Sequence, residues 1–86
     1  MASPNEIDLV IVVNGQQVKV KANLEAPLRT AIEHALSLSG NSGQPVENWE
    51  LRDGGGNVLD PSKKIEEFHF PAGVTLFLNL KAGIGG

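Results

Sequence analysis

Apolar residues recur at every second position near the N-terminus, at Ile7, Leu9, Ile11 and Val13, and of the intervening Asp8, Val10 and Val12 two are apolar as well. This period of two in a β-branched run predicts a strand over 7–13, and apolar residues on both faces place it inside a sheet. Asn14-Gly15 follows, a dipeptide that supplies two positive-φ residues to a tight hairpin turn. Beyond it Val18, Val20 and Ala22 alternate with Lys19 and Lys21, which predicts a second strand nearer an edge, guarded by its lysines. From Pro27 the period lengthens: Leu28, Ala31, Ile32, Ala35 and Leu36 fall on one helical stripe. Pro27 suits the first helical position and Gly40, after Ser39, suits the stop, so the spacing predicts a helix over 27–39.

The second half is built of shorter pieces. Asn41 to Pro45 is a polar, turn-rich connection, after which Trp49 and Leu51 alternate with Glu50 and Arg52 as a short strand. Asp53 to Asn57 reads as a turn, Val58-Leu59 as a very short strand, Pro61 to Phe68 as a helical turn carrying Ile65 and Phe68, and Pro71-Ala72-Gly73 as a further turn. The last strand, 74–80, points Val74, Leu76, Leu78 and Leu80 inward and Thr75, Phe77 and Asn79 outward. A sheet with one apolar face needs a cover, and the amphipathic helix is the element available to provide it. The fold class is therefore α+β, with four to five strands under one main helix. The expected organisation is a flexible N-terminus over 1–6, a domain over 7–80 and a mobile tail over 81–86, where periodicity stops and glycine accumulates.

Composition narrows the chemistry. The chain has 86 residues, enough for one domain and one core. With no cysteine there is no disulfide framework and no Cys-based metal or thiol chemistry, which points to a reducing compartment. The N-terminus lacks the basic and apolar regions of a targeting segment, and the longest apolar stretch, Leu9 to Val13, is far short of the ~20 residues that cross a bilayer. A soluble, cytoplasmic monomer is expected. A net charge of −3 and a single Lys63-Lys64 pair are the wrong electrostatics for nucleic acid.

His34 and His69 are isolated and carry no metal-ligand spacing. Gly54-Gly55-Gly56 lacks the Lys-Ser/Thr of a phosphate loop. Glu66 and Glu67, or Asp53 and Asp60, have no partner base or nucleophile beside them, and short elements leave little room for a pocket of the ~300 Å³ that small-molecule sites need. The residues predict no enzyme, no cofactor and no metal site.

Over nearly its whole length the chain resembles ubiquitin-like proteins of the β-grasp fold. The likeness is carried by Leu51-Arg52-Asp53-Gly54, Val58-Leu59-Asp60, Ile65, Phe68, and Gly73 to Leu80 followed by Gly85-Gly86. It is most similar to the small ubiquitin-like modifiers of bacterial ubiquitination-like operons, encoded beside activating (E1), conjugating (E2) and deubiquitinase-like proteins. The resemblance implies that Gly86 offers its α-carboxylate for ATP-dependent adenylation by an E1, transfer as a thioester to an E2, and amide formation with a lysine of a target protein. The ATP belongs to the partner enzyme.

Two departures from ubiquitin are visible. Ubiquitin's tail is rich in arginine, whereas here Lys81 is followed by Ala82, Gly83 and Ile84, which implies a dedicated activating enzyme. Ubiquitin's apolar recognition patch is replaced by Gln16 and Gln17 in the hairpin and by Phe77 and Asn79 on the last strand.

The tail chemistry has a steric basis. Without Cβ atoms at Gly85 and Gly86, the chain can thread a narrow channel and bring its carbonyl close to a phosphate or a cysteine. The residues expected to be recognised in the tail are Lys81, Ala82, Gly83, Ile84 and Gly85, with Gly86 the point of conjugation. Phe77 and Asn79 are candidates for a partner surface, since aromatic residues anchor interfaces. Lys19, Lys21, Lys63 and Lys64 are candidate acceptors for chains, although exposed lysines by default only solubilise. Two other readings share these features: a sulfur carrier bearing a C-terminal thiocarboxylate, and an interaction module whose tail does nothing.

Overall fold

The computed structural model describes residues 5–83. Four strands and one α-helix follow the chain order β1 (Glu6–Val13), β2 (Gln16–Asn23), α1 (Leu28–Leu38), β3 (Trp49–Arg52) and β4 (Val74–Leu80). The sheet order is β2-β1-β4-β3. β1 lies antiparallel to β2 and parallel to β4, and β3 is antiparallel to β4. The sheet is mixed, with β1 and β4 in its centre and β2 at an edge, as the two-sided apolar pattern of β1 requires. β1 begins at Glu6, one residue earlier than the alternation predicts. Residues 1–4 of the expected N-terminal segment, and residues 84–86 of the tail, lie outside the described residues.

The hairpin turn is built as its sequence demands. Asn14 has φ 48° and Gly15 φ 86°, the pair of positive-φ values that a two-residue turn needs to match the right-handed twist of its strands. The turn pairs Val13 with Gln16 and so sets the register that sends Leu9, Ile11, Val13, Val20 and Ala22 into the core.

Helix α1 is one residue shorter at each end than predicted. Pro27 is its N-cap, with ψ 150°, and not its first helical residue. No side chain caps the helix. Its first free N–H groups are taken instead by the loop before Ile65: Leu28 donates to Lys63 O and Arg29 to Pro61 O, both at 2.9 Å. The same loop is tied down in return, since Ile65 N–H donates to Ala26 O and Glu66 N–H to Leu24 O. At the other end Gly40 has φ 75°, and Asn41 N–H and Gly40 N–H close on Leu36 O and Ser37 O. That is the left-handed helix stop for which glycine is selected.

The predicted Val58-Leu59 strand does not form. Only an Arg52–Val58 bridge is present, with Leu59 N–H donating to Leu51 O at 2.9 Å. The segment is closed at once by Asp60-Pro61, and proline has no N–H to continue a ladder. The segment over 61–68 is helical only at Ile65–Phe68, a 3₁₀ turn. A second 3₁₀ turn, Val46–Asn48, opens after Pro45 and leads into β3.

The core is a single layer between the sheet and α1. Leu9, Ile11, Leu28, Ile32, Leu51, Ile65, Leu76 and Leu78 are fully buried, each contributing roughly 1.5–3 kcal/mol of apolar burial. Among the described residues no polar or charged side chain is buried as a whole, so the interior is apolar and all charge stands on the surface.

Candidate functional site

β4 occupies the middle of the sheet and leads directly to the tail. Its length, Val74–Leu80, and its in-out pattern match the prediction: Leu76 and Leu78 are buried while Thr75, Phe77 and Asn79 are exposed. One further backbone bond continues the pairing, from Lys81 N–H to Asn48 O at 2.8 Å. Ala82 and Gly83 then turn, with Gly83 at φ 86°, a backbone conformation that costs glycine nothing. Lys81, Ala82 and Gly83 are all exposed. Ile84, Gly85 and Gly86, the residues expected to carry recognition and conjugation, lie outside the described residues.

The tail root is surrounded by exposed charge. Arg29 on α1 hydrogen-bonds Glu47, and the guanidinium holds the Glu47 carboxyl below its usual range, with a smaller contribution from Lys81. Arg29 also stands 3.9 Å from Glu33, one helical turn on. Arg29 is engaged by carboxylates, and Lys81, near enough to Glu47 to act on its carboxyl, is exposed at the base of the tail.

Phe77 lies on the sheet face opposite α1, and the strand registers place it in a defined row. Its partner on β1 is Val12 and its partner on β3 is Arg52; Val12 in turn faces Gln17, and Arg52 faces Val58. Directly paired residues project to the same side, so Gln17, Val12, Phe77, Arg52 and Val58 run in one line across the outer face. Phe77 is 38% exposed and Val58 57%. Arg52 between them is fixed: its Nε and one terminal nitrogen donate to Glu50 Oε2 at 3.0 and 2.8 Å, and the other donates to Gly56 O at 2.8 Å.

Asn79 shares the face but sits one row on, opposite Glu50. Phe77 and Asn79 are therefore neighbours along β4, whereas the apolar neighbours of Phe77 lie across the sheet, at Val12 and beyond Arg52 at Val58. Sequence reasoning did not include Val58 or Arg52 in this surface, because cross-strand registry leaves no mark in local spacing.

The four candidate acceptor lysines fall in two places. Lys19 and Lys21 point outward from β2, opposite Val10 and Asp8, and Lys21 Nζ is 3.6 Å from Asp8 Oδ1. Lys63 and Lys64 stand in the loop that caps α1, where Pro27 bridges Lys64 and the Lys64 N–H donates to Glu67 Oε2 at 3.0 Å. All four are exposed.

Space for a ligand is larger than the short elements led one to expect. An open depression of about 500 Å³ lies beside β1 and β2 and is lined by Asp8, Val10, Lys19, Lys21 and Gly73. Among the described residues there is no group of three His, Cys, Asp or Glu able to hold a metal ion, and no helix is long and apolar enough to cross a membrane.

Comparison with known proteins agrees with this architecture. The chain matches, over residues 2–86, the family described as Protein of Unknown function (DUF2604). An uncharacterized protein of Sinorhizobium fredii, y4jI, is 47% identical over 83 residues; the match covers 96% of this chain and 64% of that protein's length. Among solved structures, a de novo protein designed on the basis of ubiquitin superposes with a TM-score of 0.78 at 22% identity, covering 98% of this chain and 99% of the other. Ubiquitin from Caldiarchaeum subterraneum superposes with a TM-score of 0.73 at 15% identity, covering 94% and 99%. The fold is the ubiquitin-like β-grasp.

Proposed function

This chain belongs to the DUF2604 family, and we propose that it is a ubiquitin-like protein modifier, of the kind found in bacterial ubiquitination-like operons, conjugated through Gly86. The observation that supports this reading most is positional. β4, a central strand of a ubiquitin-like fold, ends at Leu80, and the sequence runs on from an exposed Lys81 through Ala82 and Gly83 to Ile84-Gly85-Gly86.

The chemistry resides in one carboxylate, with the reacting groups opposite it supplied by partners. The Gly86 carboxylate attacks the α-phosphate of ATP on an E1-like enzyme, releasing pyrophosphate and leaving an acyl adenylate. A cysteine thiolate displaces AMP, a second thiolate on an E2-like enzyme takes the acyl group, and a target lysine amine displaces that thiolate to form an isopeptide bond. Each step needs the carbonyl to come within bonding distance of a group recessed in a protein, and the absence of Cβ at Gly85 and Gly86 allows that approach. Where residues follow Gly86, a protease cut after it exposes the carboxylate. A deubiquitinase-like protease would reverse the modification.

Phe77, with Val12 and Val58 in its row, is the surface we assign to enzyme partners, and Lys81 is the one charged residue of the tail for an activating enzyme to read. Chains would grow from Lys63 or Lys64 at the α1 cap, or from Lys19 or Lys21 on β2. The experiment is incubation with ATP, an E1-like and an E2-like enzyme, followed by non-reducing electrophoresis. The expected result is a thiol-sensitive adduct of each enzyme that is lost when Gly85 and Gly86 are deleted. A C-terminal thiocarboxylate formed in place of an adduct, or no acyl adenylate with enzymes shown to be active, overturns the proposal.

A further inference from the structure

Trp49 is the single tryptophan of the chain, only 5% exposed at the start of β3 and in register with Leu80 of β4. Among the described residues its indole N–H has no hydrogen-bond partner. A buried indole N–H normally finds an acceptor, because an unpaired donor away from water costs free energy. A cavity of about 100 Å³ lies beside this side chain, lined by Trp49 itself, Ile32 of α1, Leu51, Leu59, Pro61 and Lys81. It exists because a ladder stops short. Leu59 N–H donates to Leu51 O and Arg52 is bridged to Val58, so the next rung, opposite Trp49, falls at Pro61, which has no N–H to give. The lining is mainly apolar, and its one carboxylate, Glu50, is engaged by Arg52 at 3.0 and 2.8 Å.

We propose that this cavity is a binding site for the chain's own tail, with the Ile84 side chain filling it and a backbone carbonyl of the tail accepting the Trp49 indole N–H. Reach permits it. Lys81 lines the cavity, and Ile84 follows three residues later, a span of up to ~10 Å. Direction favours it as well. Lys81 N–H still pairs with Asn48 O, but the turn at Ala82-Gly83, with Gly83 at φ 86°, takes the chain off the line of β4.

Size and chemistry select the residue. A cavity of ~150 Å³ holds a benzene ring, so one of about 100 Å³ takes a branched aliphatic side chain and excludes a ring. Ile84 is the one such side chain among Ala82, Gly83, Ile84, Gly85 and Gly86. The glycines on both sides of it let the tail backbone lie close against the domain. Water fits less well, since it needs about two to four polar partners and this lining is mainly aliphatic. A separate partner is also disadvantaged, because a segment tethered at Lys81 is presented at an effective concentration on the order of millimolar.

The docked tail would hold Gly85 and Gly86 against the domain. Under the conjugation reading, an activating enzyme must then displace Ile84 before it reaches the carboxylate; the docking itself does not rest on that reading.

Trp49 reports on the tail directly, since the chain has no other tryptophan and no tyrosine. The full chain is compared with Ile84→Ser, Ile84→Val and a chain truncated after Gly83, by NMR of the indole N–H and the methyl groups. Nuclear Overhauser effects are expected from the Ile84 methyls to the Trp49 ring and to Leu59. In Ile84→Ser and in the truncated chain the indole signal should move and its hydrogen exchange should quicken about tenfold, as a covered site becomes open. Ile84→Val should keep the signal of the full chain. No ATP or partner enzyme enters these measurements, so docking can fail while conjugation succeeds, and the reverse.

An indole signal identical in every chain, or Ile84 contacts centred on Phe77 and Val12, would overturn the proposal. So would an indole shift that depends on protein concentration, which would put the tail of a second copy in the cavity.

Discussion

Adjacent residues of β4 should lose very different amounts of stability on truncation. Leu78 is fully buried, pairing with Val13 on one side and Leu51 on the other, so Leu78→Ala removes a side chain enclosed by the core. Leucine-to-alanine changes at such sites cost about 2–5 kcal/mol, the transfer contribution plus the cavity left behind. A domain of 86 residues has a total stability of roughly 4–13 kcal/mol, so the variant should be close to marginal. At about 4–8 °C per kcal/mol, a loss of 3 kcal/mol lowers the melting temperature by roughly 12–24 °C.

Phe77 is 38% exposed and faces away from α1. Its packing is a cross-strand contact with Val12, worth about 0.2–1 kcal/mol, so Phe77→Ala should cost about 1 kcal/mol. The assay is urea unfolding followed by far-UV circular dichroism, with the m-value held as a control on the unfolded state. Equal losses in the two variants, or a larger one for Phe77→Ala, would refute the register that puts Phe77 on the outer face. The folded Phe77→Ala protein then reads the surface separately from stability: on the proposed function its rate of thioester formation falls while its melting curve barely moves.

Other expectations follow from local geometry and charge. His69 ends the 3₁₀ turn at φ 54° and ψ 41°, a conformation that L-residues adopt at a cost of about 1–2 kcal/mol. His69→Gly should therefore be neutral or slightly stabilising, and His69→Val destabilising by about 1–2 kcal/mol in thermal melts; the reverse order would exclude the left-handed turn. The carboxyl of Asp53 is held below its ordinary value of 3.8 by hydrogen bonds from the backbone and side chain of Asn57 and from Gly55. Asp60, bonded by Ser62, and Glu47, bonded by Arg29, are lowered likewise. A folded-state pKa below the unfolded one gives stability that is complete above the unfolded value and is lost as pH falls through the folded one. Urea midpoints should thus decline below about pH 4, and less steeply in Asp53→Ala, whereas an identical acid limb in that variant would contradict the role given to Asp53.

Much of this architecture was legible because it is written locally. A period of two, a dipeptide with two positive-φ residues and a helical stripe specify β1, the hairpin, α1 and β4 without any long-range information, and β4 was bounded to the residue. The errors lie where tertiary contacts decide. Val58-Leu59 has strand-forming residues but too few before Asp60-Pro61, and its backbone contributes a single bridge. Pro27 stands one residue before α1, as its N-cap, and the first N–H groups of the helix, from Leu28 and Arg29, are taken by the carbonyls of Lys63 and Pro61, far along the chain. The outer row through Val12, Phe77, Arg52 and Val58 joins four separate segments, so Phe77 could be singled out from its strand while its neighbours could not. The edge position of β2 was legible in its lysine-guarded alternation, whereas the cavity beside Trp49 was not, since Ile32, Leu59 and Lys81 reach it from separate segments.

The central claim rests on a covalent bond between Gly86 and a lysine. The direct measurement is tryptic mass spectrometry of proteins modified in the presence of ATP and the E1-like and E2-like enzymes. Trypsin cuts after Lys81, so a modified lysine should carry an Ala-Gly-Ile-Gly-Gly remnant, present with ATP and absent from the variant lacking Gly85 and Gly86. Peptides without that remnant, from reactions in which both enzymes are shown to be active, would contradict the account.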